Sequence, residues 1–444
     1  MNKRIIFILL FSVTIIFAQN YQDCIDPLWY FQNIGSTNSA LSNNTTTVSS
    51  EMTGLGSNPA TLALHTNPMF GLSLRSKNMS HDSKFASTNG LINTNYNDSQ
   101  LASTKLNGFS AIYPFPVQQG SLVLAFSYAN TANYYDQADA TGDFTYDNAP
   151  FTVDNTYKKS GTMNAYRLGF AVEFKKNLFI GTSINLYNGK QTQEYNYIDR
   201  DISDNFLYST INKEVEVKPE YSGMNFNLGV LYVSGKMKFG LNLATPFNLS
   251  AKENYDNSEI WTYDDGEKDS DYGSDYIKYK IRTPTALSTG FEYNFGNIAL
   301  LFDVKMQDWH NMSFDSDLKD HYYDDAGNLT GTSSTDDRID SEIRNNLKTT
   351  LDYGVGLSTF VLDSFQLIVG HRIISRPYYD LPNDEKNVHL TGIGVNTTLM
   401  NNLAIGISYQ FEFGKNTLER EYFEYPIYRK YYTQNFNITT SLIF

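Results

Sequence analysis

The chain has little that supports covalent or metal chemistry. One cysteine, Cys24, stands among 444 residues, which excludes a disulfide framework and a cysteine zinc site. Six histidines are scattered without a metal-ligand spacing. Asp, Glu, Lys and Arg make up only 18% of the chain, against ~25% in typical soluble proteins. The charge present is negative, −14 net, and an acidic surface repels phosphate backbones, so nucleic acid is not an expected partner. Long hydrophobic runs are missing too. Mean hydropathy is −0.40, and no stretch beyond the N-terminus reaches the ~18 apolar residues of a spanning helix.

What the chain has is aromatic residues, 33 Tyr and 29 Phe, and an N-terminal address. Residues 1–18 read as a signal peptide: Lys3 and Arg4 give the positive start, Ile5–Phe17 the apolar stretch and Ala18 the small residue before the cut. An exported chain without a spanning helix is soluble or crosses a membrane as a β-barrel, which also satisfies its own backbone in lipid.

Period-2 alternation favours the barrel. In Leu403–Phe413 one face is Leu403, Ile405, Ile407, Tyr409, Phe411 and Phe413, and the other is Ala404, Gly406, Ser408, Gln410 and Glu412. Met163–Phe174 and Lys236–Thr245 alternate in the same way. These runs are as long as the ~9–11 residues a tilted transmembrane strand needs, and their polar faces are small. Short turns at 118–120, 175–177, 234–236, 294–297, 362–364 and 400–402 alternate with long polar segments at about 77–103, 131–160, 191–217, 253–276, 309–346, 376–387 and 414–430. Six short turns and seven long loops join 14 strands, with both barrel ends on the periplasmic side. The last strand alternates and stops on Phe444, a terminal aromatic of the kind that addresses a chain to the barrel-assembly machinery. The expected organisation is a signal peptide (1–18), a hatch or plug segment (19–66) and a transmembrane β-barrel (67–444).

The segment before the first strand reads Gly54-Leu55-Gly56-Ser57-Asn58-Pro59-Ala60-Thr61. Later come Ile112-Tyr113-Pro114-Phe115-Pro116, Leu241-Asn242-Leu243-Ala244-Thr245-Pro246-Phe247, Thr283-Pro284 with Gly290-Phe291-Glu292-Tyr293, and Asp303 with Trp309. In this order they resemble the FadL, OmpP1 and TodX type of outer-membrane transporter of long-chain fatty acids and other hydrophobic compounds. The resemblance implies an all-β barrel plugged by an N-terminal hatch in the cell outer membrane. Passive uptake of fatty acids or aromatic hydrocarbons would be its task, with no enzyme activity and no cofactor. Its partners would be a hydrophobic small molecule and outer-membrane lipid or lipopolysaccharide. FadL-like partners of secretion systems and general porins are the alternatives.

Asn58, Pro59 and Ala60 are the expected hatch turn, because Pro fixes φ and Asn satisfies nearby backbone. Arg167, Lys305 and Arg372 face the lumen by alternation, at matching distances from their short turns. They are candidates to hold a ligand carboxylate. Against this stand Glu173, Glu292, Asp303 and Glu412, which face inward as possible partners. Trp309 and the run Tyr422, Tyr425, Tyr428, Tyr431 and Tyr432 read as the interfacial aromatic girdle. The acidic stretches 253–275 and 315–342 read as solvated loops rather than calcium sites. His310, His321, His371 and His389 assemble no Ser-His-Asp set.

Overall fold

The computed structural model describes residues 20–444 except 30, 51, 324–327, 363, 400–401 and 420–423, so the signal peptide and Tyr422 lie outside the described residues. The first strands are β1 (Met69–Phe85), β2 (Leu91–Asn95), β3 (Asn97–Phe115), β4 (Leu122–Asn133), β5 (Asp136–Tyr146), β6 (Ala149–Lys175) and β7 (Leu178–Asp201). Then come β8 (Tyr208–Ser234), β9 (Met237–Ala244), β10 (Asn248–Tyr263), β11 (Lys268–Arg282), β12 (Ala286–Asn294), β13 (Ile298–Asp308) and β14 (Ser313–Ser316). The series ends with β15 (Lys319–Tyr323), β16 (Leu329–Ser334), β17 (Thr349–Leu362), β18 (Phe365–Ser375), β19 (Asn387–Leu399), β20 (Leu403–Leu418) and β21 (Ile427–Ile443).

Fourteen of these close an antiparallel cylinder. Its order is β1, β3, β4, β6, β7, β8, β9, β12, β13, β17, β18, β19, β20, β21 and back to β1. The outer face carries an apolar belt: Phe70, Leu72 and Leu74 on β1, Tyr166, Leu168 and Phe170 on β6, Phe226, Leu228 and Val230 on β8 are all exposed. Exposed apolar side chains in an unbroken ring are stable only against lipid, so the cylinder is a transmembrane barrel.

The strand ends flank all six short segments that the alternation marks as turns, of which residues 363, 400 and 401 lie outside the described residues. The long segments differ from expectation, because much of 131–160, 191–217 and 253–276 is strand. The inner face keeps its large apolar residues above the lipid, such as Tyr195, Tyr197, Ile211 and Val217, while the outer face turns polar. Alternation therefore continues and so does the sheet. β10 and β11 prolong β9 and β12 in one register beyond Pro246 and Pro284.

The upper walls lean on an aromatic cap. Phe85, Phe144, Phe151, Tyr197, Phe206, Tyr208 and Ile427 are buried together, and the ring centroids of Phe144 and Tyr425 lie 4.1 Å apart. Asp199 is buried in this cap, far beyond the apolar belt, and accepts a hydrogen bond from the Tyr208 hydroxyl at 3.3 Å. Burial first and the Glu424 carboxylate second push its pKa up to about 7. The folded value lies above the unfolded one, so its contribution to stability is full below about pH 4 and is lost as pH rises towards 7. Amide exchange across 195–211, corrected for intrinsic rates, should be slower at pH 5.5 than at pH 8, and Asp199→Asn should remove the difference. Equal protection at both pH values would show that Asp199 does not hold the cap.

Inside the cylinder lies the N-terminal segment. Helix α1 (Tyr21–Trp29) is followed by the short helix α2 (Ser36–Ala40) and two 3-10 turns, Gly54–Gly56 and Pro59–Leu64. The Asn20 side chain caps α1 by accepting from the Gln22 amide at 2.8 Å. α1 packs Cys24, Ile25 and Leu28 against wall residues Tyr221, Leu249 and Ile281. It also meets Ile339 and Ile343 of helix α3 (Thr335–Asn346), which folds inward from the segment between β13 and β17. The plug thus climbs the lumen to the long-loop end, whereas Phe444 lies at the opposite rim and donates its amide to Pro68 O at 2.9 Å.

Candidate functional site

The turn at Asn58, Pro59 and Ala60, expected from the sequence to be the hatch, is built from backbone chemistry. Asn58 is fully buried; its Nδ2 donates to Thr46 O at 2.9 Å and Val230 O at 3.1 Å, and its Oδ1 accepts from the Ala60 amide at 3.1 Å. Pro59 opens the 3-10 turn where no amide donor is needed. The turn sits against wall glycines: a Cβ on Gly181 would stand 2.5 Å from the Pro59 carbonyl carbon, and one on Gly229 only 2.1 Å from Asn58 Oδ1. Gly370 and Gly392 accept Leu41 and Ser39 in the same way. The plug is also bonded to the wall by side chains. The Thr46 amide donates to Asp303 at 3.1 Å, and Arg372 Nη1 donates to Asn43 O at 3.0 Å.

Two cavities flank α1. The upper one, about 290 Å³, opens among the long loops and is bounded by Tyr21, Ile25, Trp29, Tyr378 and Leu418. It holds a dense set of charges. Lys159 Nζ reaches both Asp26 oxygens of α1 at 2.6 and 2.7 Å, with Gln191 Nε2 donating to the same carboxylate at 3.0 Å. Arg429 pairs with Asp136, both buried. Burial raises the Asp136 pKa, but Arg429 outweighs it and holds the group well below the usual carboxylate range.

The Asp26–Lys159 pair fastens the top of the plug to the wall. Asp26→Asn removes the carboxylate that the buried Lys159 reaches with both its 2.6 and 2.7 Å contacts, at a cost of about 3–5 kcal/mol. Cys24 reports this on the same helix, because it is buried and burial pushes its thiol up. Thiol labelling of Asp26→Asn should run at least about tenfold faster than in the parent, and pairing it with Lys159→Met should restore the slow rate. Unchanged labelling would mean that the pair does not hold α1.

The lower cavity, about 220 Å³, lies between plug and wall. Arg167, Lys305 and Arg372 all line it. The equal depths read from the alternation thus bring three cations from β6, β13 and β18 to one space. Facing them are aromatic rings: Trp29, Phe31, Tyr187, Phe247 and Trp309. Tyr187 and Phe247 stack at 5.1 Å, and Phe31 stacks on Tyr187 at 5.4 Å. Trp29 lines both cavities and so stands between them.

Of the expected carboxylate partners, Glu412 lines the upper cavity and the other three make other contacts. Glu292 pairs with Lys238 at 2.9 Å, Asp303 holds the Thr46 amide and Glu173 accepts from the Asn177 amide at the rim. Arg372 has Asp352 at 3.6 Å. Arg167 is 4% exposed, and its Nε and Nη1 have no hydrogen-bond partner. Neither Arg167 nor Lys305 forms an ion pair among the described residues.

The girdle reading fails for Trp309. After Asp308 the backbone leaves the strand in one 3-10 turn, the alternation loses its phase, and the indole turns inward to donate to Thr350 Oγ1 at 3.1 Å. Tyr431 is likewise buried beside the upper cavity and Tyr425 belongs to the cap, while Tyr432 does face outward. His371 and His389 lie against each other on the outer wall, with His389 stacked on Phe413 at 4.8 Å. Among the described residues no cluster of metal-ligating side chains occurs, in the acidic segments or elsewhere.

No family model matches the chain, and no curated protein does. Solved structures do. A FadL homologue of Pseudomonas aeruginosa aligns over 93% of this chain and 99% of its own, at 11% identity and a TM-score of 0.61. The fold is the FadL-type barrel. The toluene transporter TodX of P. putida follows, with 12% identity, 93% and 99% coverage and a TM-score of 0.59. The toluene transporter TbuX of Ralstonia pickettii gives 12% identity, 94% and 100% coverage and a TM-score of 0.54. The similarity therefore lies in the path of the backbone.

Proposed function

We propose that the protein carries hydrophobic molecules across the outer membrane, and that its preferred cargo is a long-chain carboxylate such as a fatty acid. The observation that carries this is the lower cavity, where aromatic rings face Arg167 and Lys305, two cations in no ion pair among the described residues. A buried guanidinium without a partner costs several kcal/mol, and a ligand carboxylate supplies what the wall does not. The rings give the chain of the same ligand an apolar surface. A neutral aromatic hydrocarbon would use the rings and leave the cations idle.

In this reading cargo enters among the long loops, rests in the upper cavity, passes Trp29 and docks above the hatch turn at Asn58, Pro59 and Ala60. The short-turn rim is periplasmic and Phe444 serves the assembly machinery. Among the structures it resembles, TodX and TbuX are described as toluene transporters, which supports transport over catalysis. A plug filling the lumen supports neither a general porin nor a secretion partner. The test is binding of radiolabelled oleate, oleyl alcohol and toluene to protein refolded in uncharged detergent. Saturable oleate binding at about one per chain, at least tenfold tighter than oleyl alcohol, is expected from one charge-assisted contact. Equal binding of the acid and the alcohol would overturn the carboxylate preference, and failure to bind any of the three would overturn the transport reading.

A further inference from the structure

The outer wall carries a cation ladder that uptake does not use. β11 turns Ile277, Tyr279 and Ile281 inward, so Lys278, Lys280 and Arg282 project outward in succession, and all three are exposed. Lys252 on β10 lies directly opposite Lys278, and Glu220 on β8 lies opposite Lys252 with Lys190 beyond it. Like charges set directly across a strand pair destabilise it. Glu216 takes Lys218 at 2.6 Å and Asp315 takes Lys280 at 2.9 Å. Lys190, Lys252, Lys278 and Arg282 have no ion pair among the described residues. In a chain of net charge −14, so many cations on one outward face call for an external anion.

Their height identifies that anion. At ~2.5 Å of axial rise per tilted residue, Arg282, Lys280 and Lys278 stand about 30, 35 and 40 Å above Asn294 at the short turn. The apolar band of such a barrel is ~25 Å tall. Below the ladder, the outward residues of β8 and β12 are lipid-facing: Met224, Phe226, Leu228, Leu287 and Phe291. The ladder therefore begins where acyl chains end and head groups start.

We propose that Lys252, Lys278, Lys280 and Arg282 bind the phosphate groups of an outer-leaflet lipid whose acyl chains lie on the apolar wall beneath. Arg282 offers a planar fork to the phosphate nearest the chains, and the lysines act as point charges on phosphates further out. Asp315 pairs with Lys280 and Glu220 stands between Lys252 and Lys190, while Lys252, Lys278 and Arg282 stay without an ion pair among the described residues, so a phosphate competes with Asp315 only at Lys280.

The probe is diphosphoryl lipid A, added in mixed micelles of uncharged detergent to the refolded full chain. Bound lipid is counted by native mass spectrometry and by the rise in melting temperature. One high-affinity lipid per chain is expected, with at least tenfold weaker binding of the dephosphorylated lipid and of the Lys252→Gln, Lys278→Gln, Lys280→Gln, Arg282→Gln variant. A Lys252→Arg, Lys278→Arg, Lys280→Arg variant should bind like the parent. Heat-modifiable gel migration checks that each variant folds, and the comparison of phosphorylated with dephosphorylated lipid on the parent needs no variant. Equal affinity for both lipids, or an unchanged glutamine variant, would overturn the proposal. So would inorganic pyrophosphate displacing the lipid at equal concentration, since the ladder would then read a free anion.

Discussion

Replacing Arg167 by methionine is expected to make the empty protein harder to unfold and to weaken its hold on a long-chain carboxylate. The two effects have opposite signs because the guanidinium is buried, lines the lower cavity and lacks partners for Nε and Nη1. Removing an unpaired buried charge relieves its desolvation, and a methionine of similar length keeps the packing. A charge-assisted hydrogen bond to a carboxylate contributes roughly 1.5–3 kcal/mol, so oleate affinity should fall by about ten- to a hundredfold. Affinity for oleyl alcohol should change by less than about threefold, because only the rings hold it. Urea midpoints measured without ligand and titrations of both ligands decide the matter. A variant both less stable and equally weakened towards the two ligands would assign Arg167 to packing alone.

The second large effect concerns the seat of the hatch turn. Gly229→Val should lift residues 58–61 from the wall while leaving the cylinder closed. A Cβ there would stand 2.1 Å from Asn58 Oδ1, 2.8 Å from the Ala60 amide and 2.9 Å from Pro59 Cδ. Most of these atoms are backbone or ring and cannot swing aside, so the plug moves or the wall bends. Wall bending would break the β7–β8 and β8–β9 ladders around Gly229. Displacing the turn costs instead the two Asn58 donations, roughly 2–3 kcal/mol in all. The cheaper outcome is a loosened plug. Proteoliposomes containing Gly229→Val should leak a small polar dye at least about tenfold faster than the parent, with unchanged heat-modifiable migration. An unchanged leak in a folded variant would show that this turn does not seal the lumen.

The barrel was legible because lipid imposes a simple rule on each strand. Leu403–Phe413 must show lipid one face and the lumen the other, and six short turns punctuate the result. The depth of Arg167, Lys305 and Arg372 was legible for the same reason, since equal counts from a flat rim give equal heights. The aromatic half of the cavity was not. Trp29 and Phe31 precede the strands in a segment without alternation, and Trp309 lies where a 3-10 turn resets the phase. Nor could the sequence show that Asp303 accepts from Thr46 and Glu292 pairs with Lys238, while Arg167 keeps Nε and Nη1 without a hydrogen-bond partner. Those pairings join residues far apart in the chain, and no local pattern marks them. The wall glycines offered a weak signal. A small residue on the lumen face of a strand is an ordinary choice, and only the seated plug explains Gly181, Gly229, Gly370 and Gly392.

The plug meets β7 at Ser183, β8 at Val230, β13 at Asp303, β18 at Gly370 and β20 at Gln410. It also holds the first and last staves, through Arg75 on β1 and Thr439 on β21, which hydrogen-bond Asn33 and Ser36. A hoop closed along the seam between β1 and β21 is finished when that seam zips from Met69–Ile443 to Phe85–Ile427. A core that grips both edges of the seam draws them together, so the N-terminal segment has the geometry of a mandrel on which the last joint is made. The plug of the finished barrel is then also a jig for its construction, and a chain shorn of residues 20–66 would lose speed and yield of barrel closure as well as its seal.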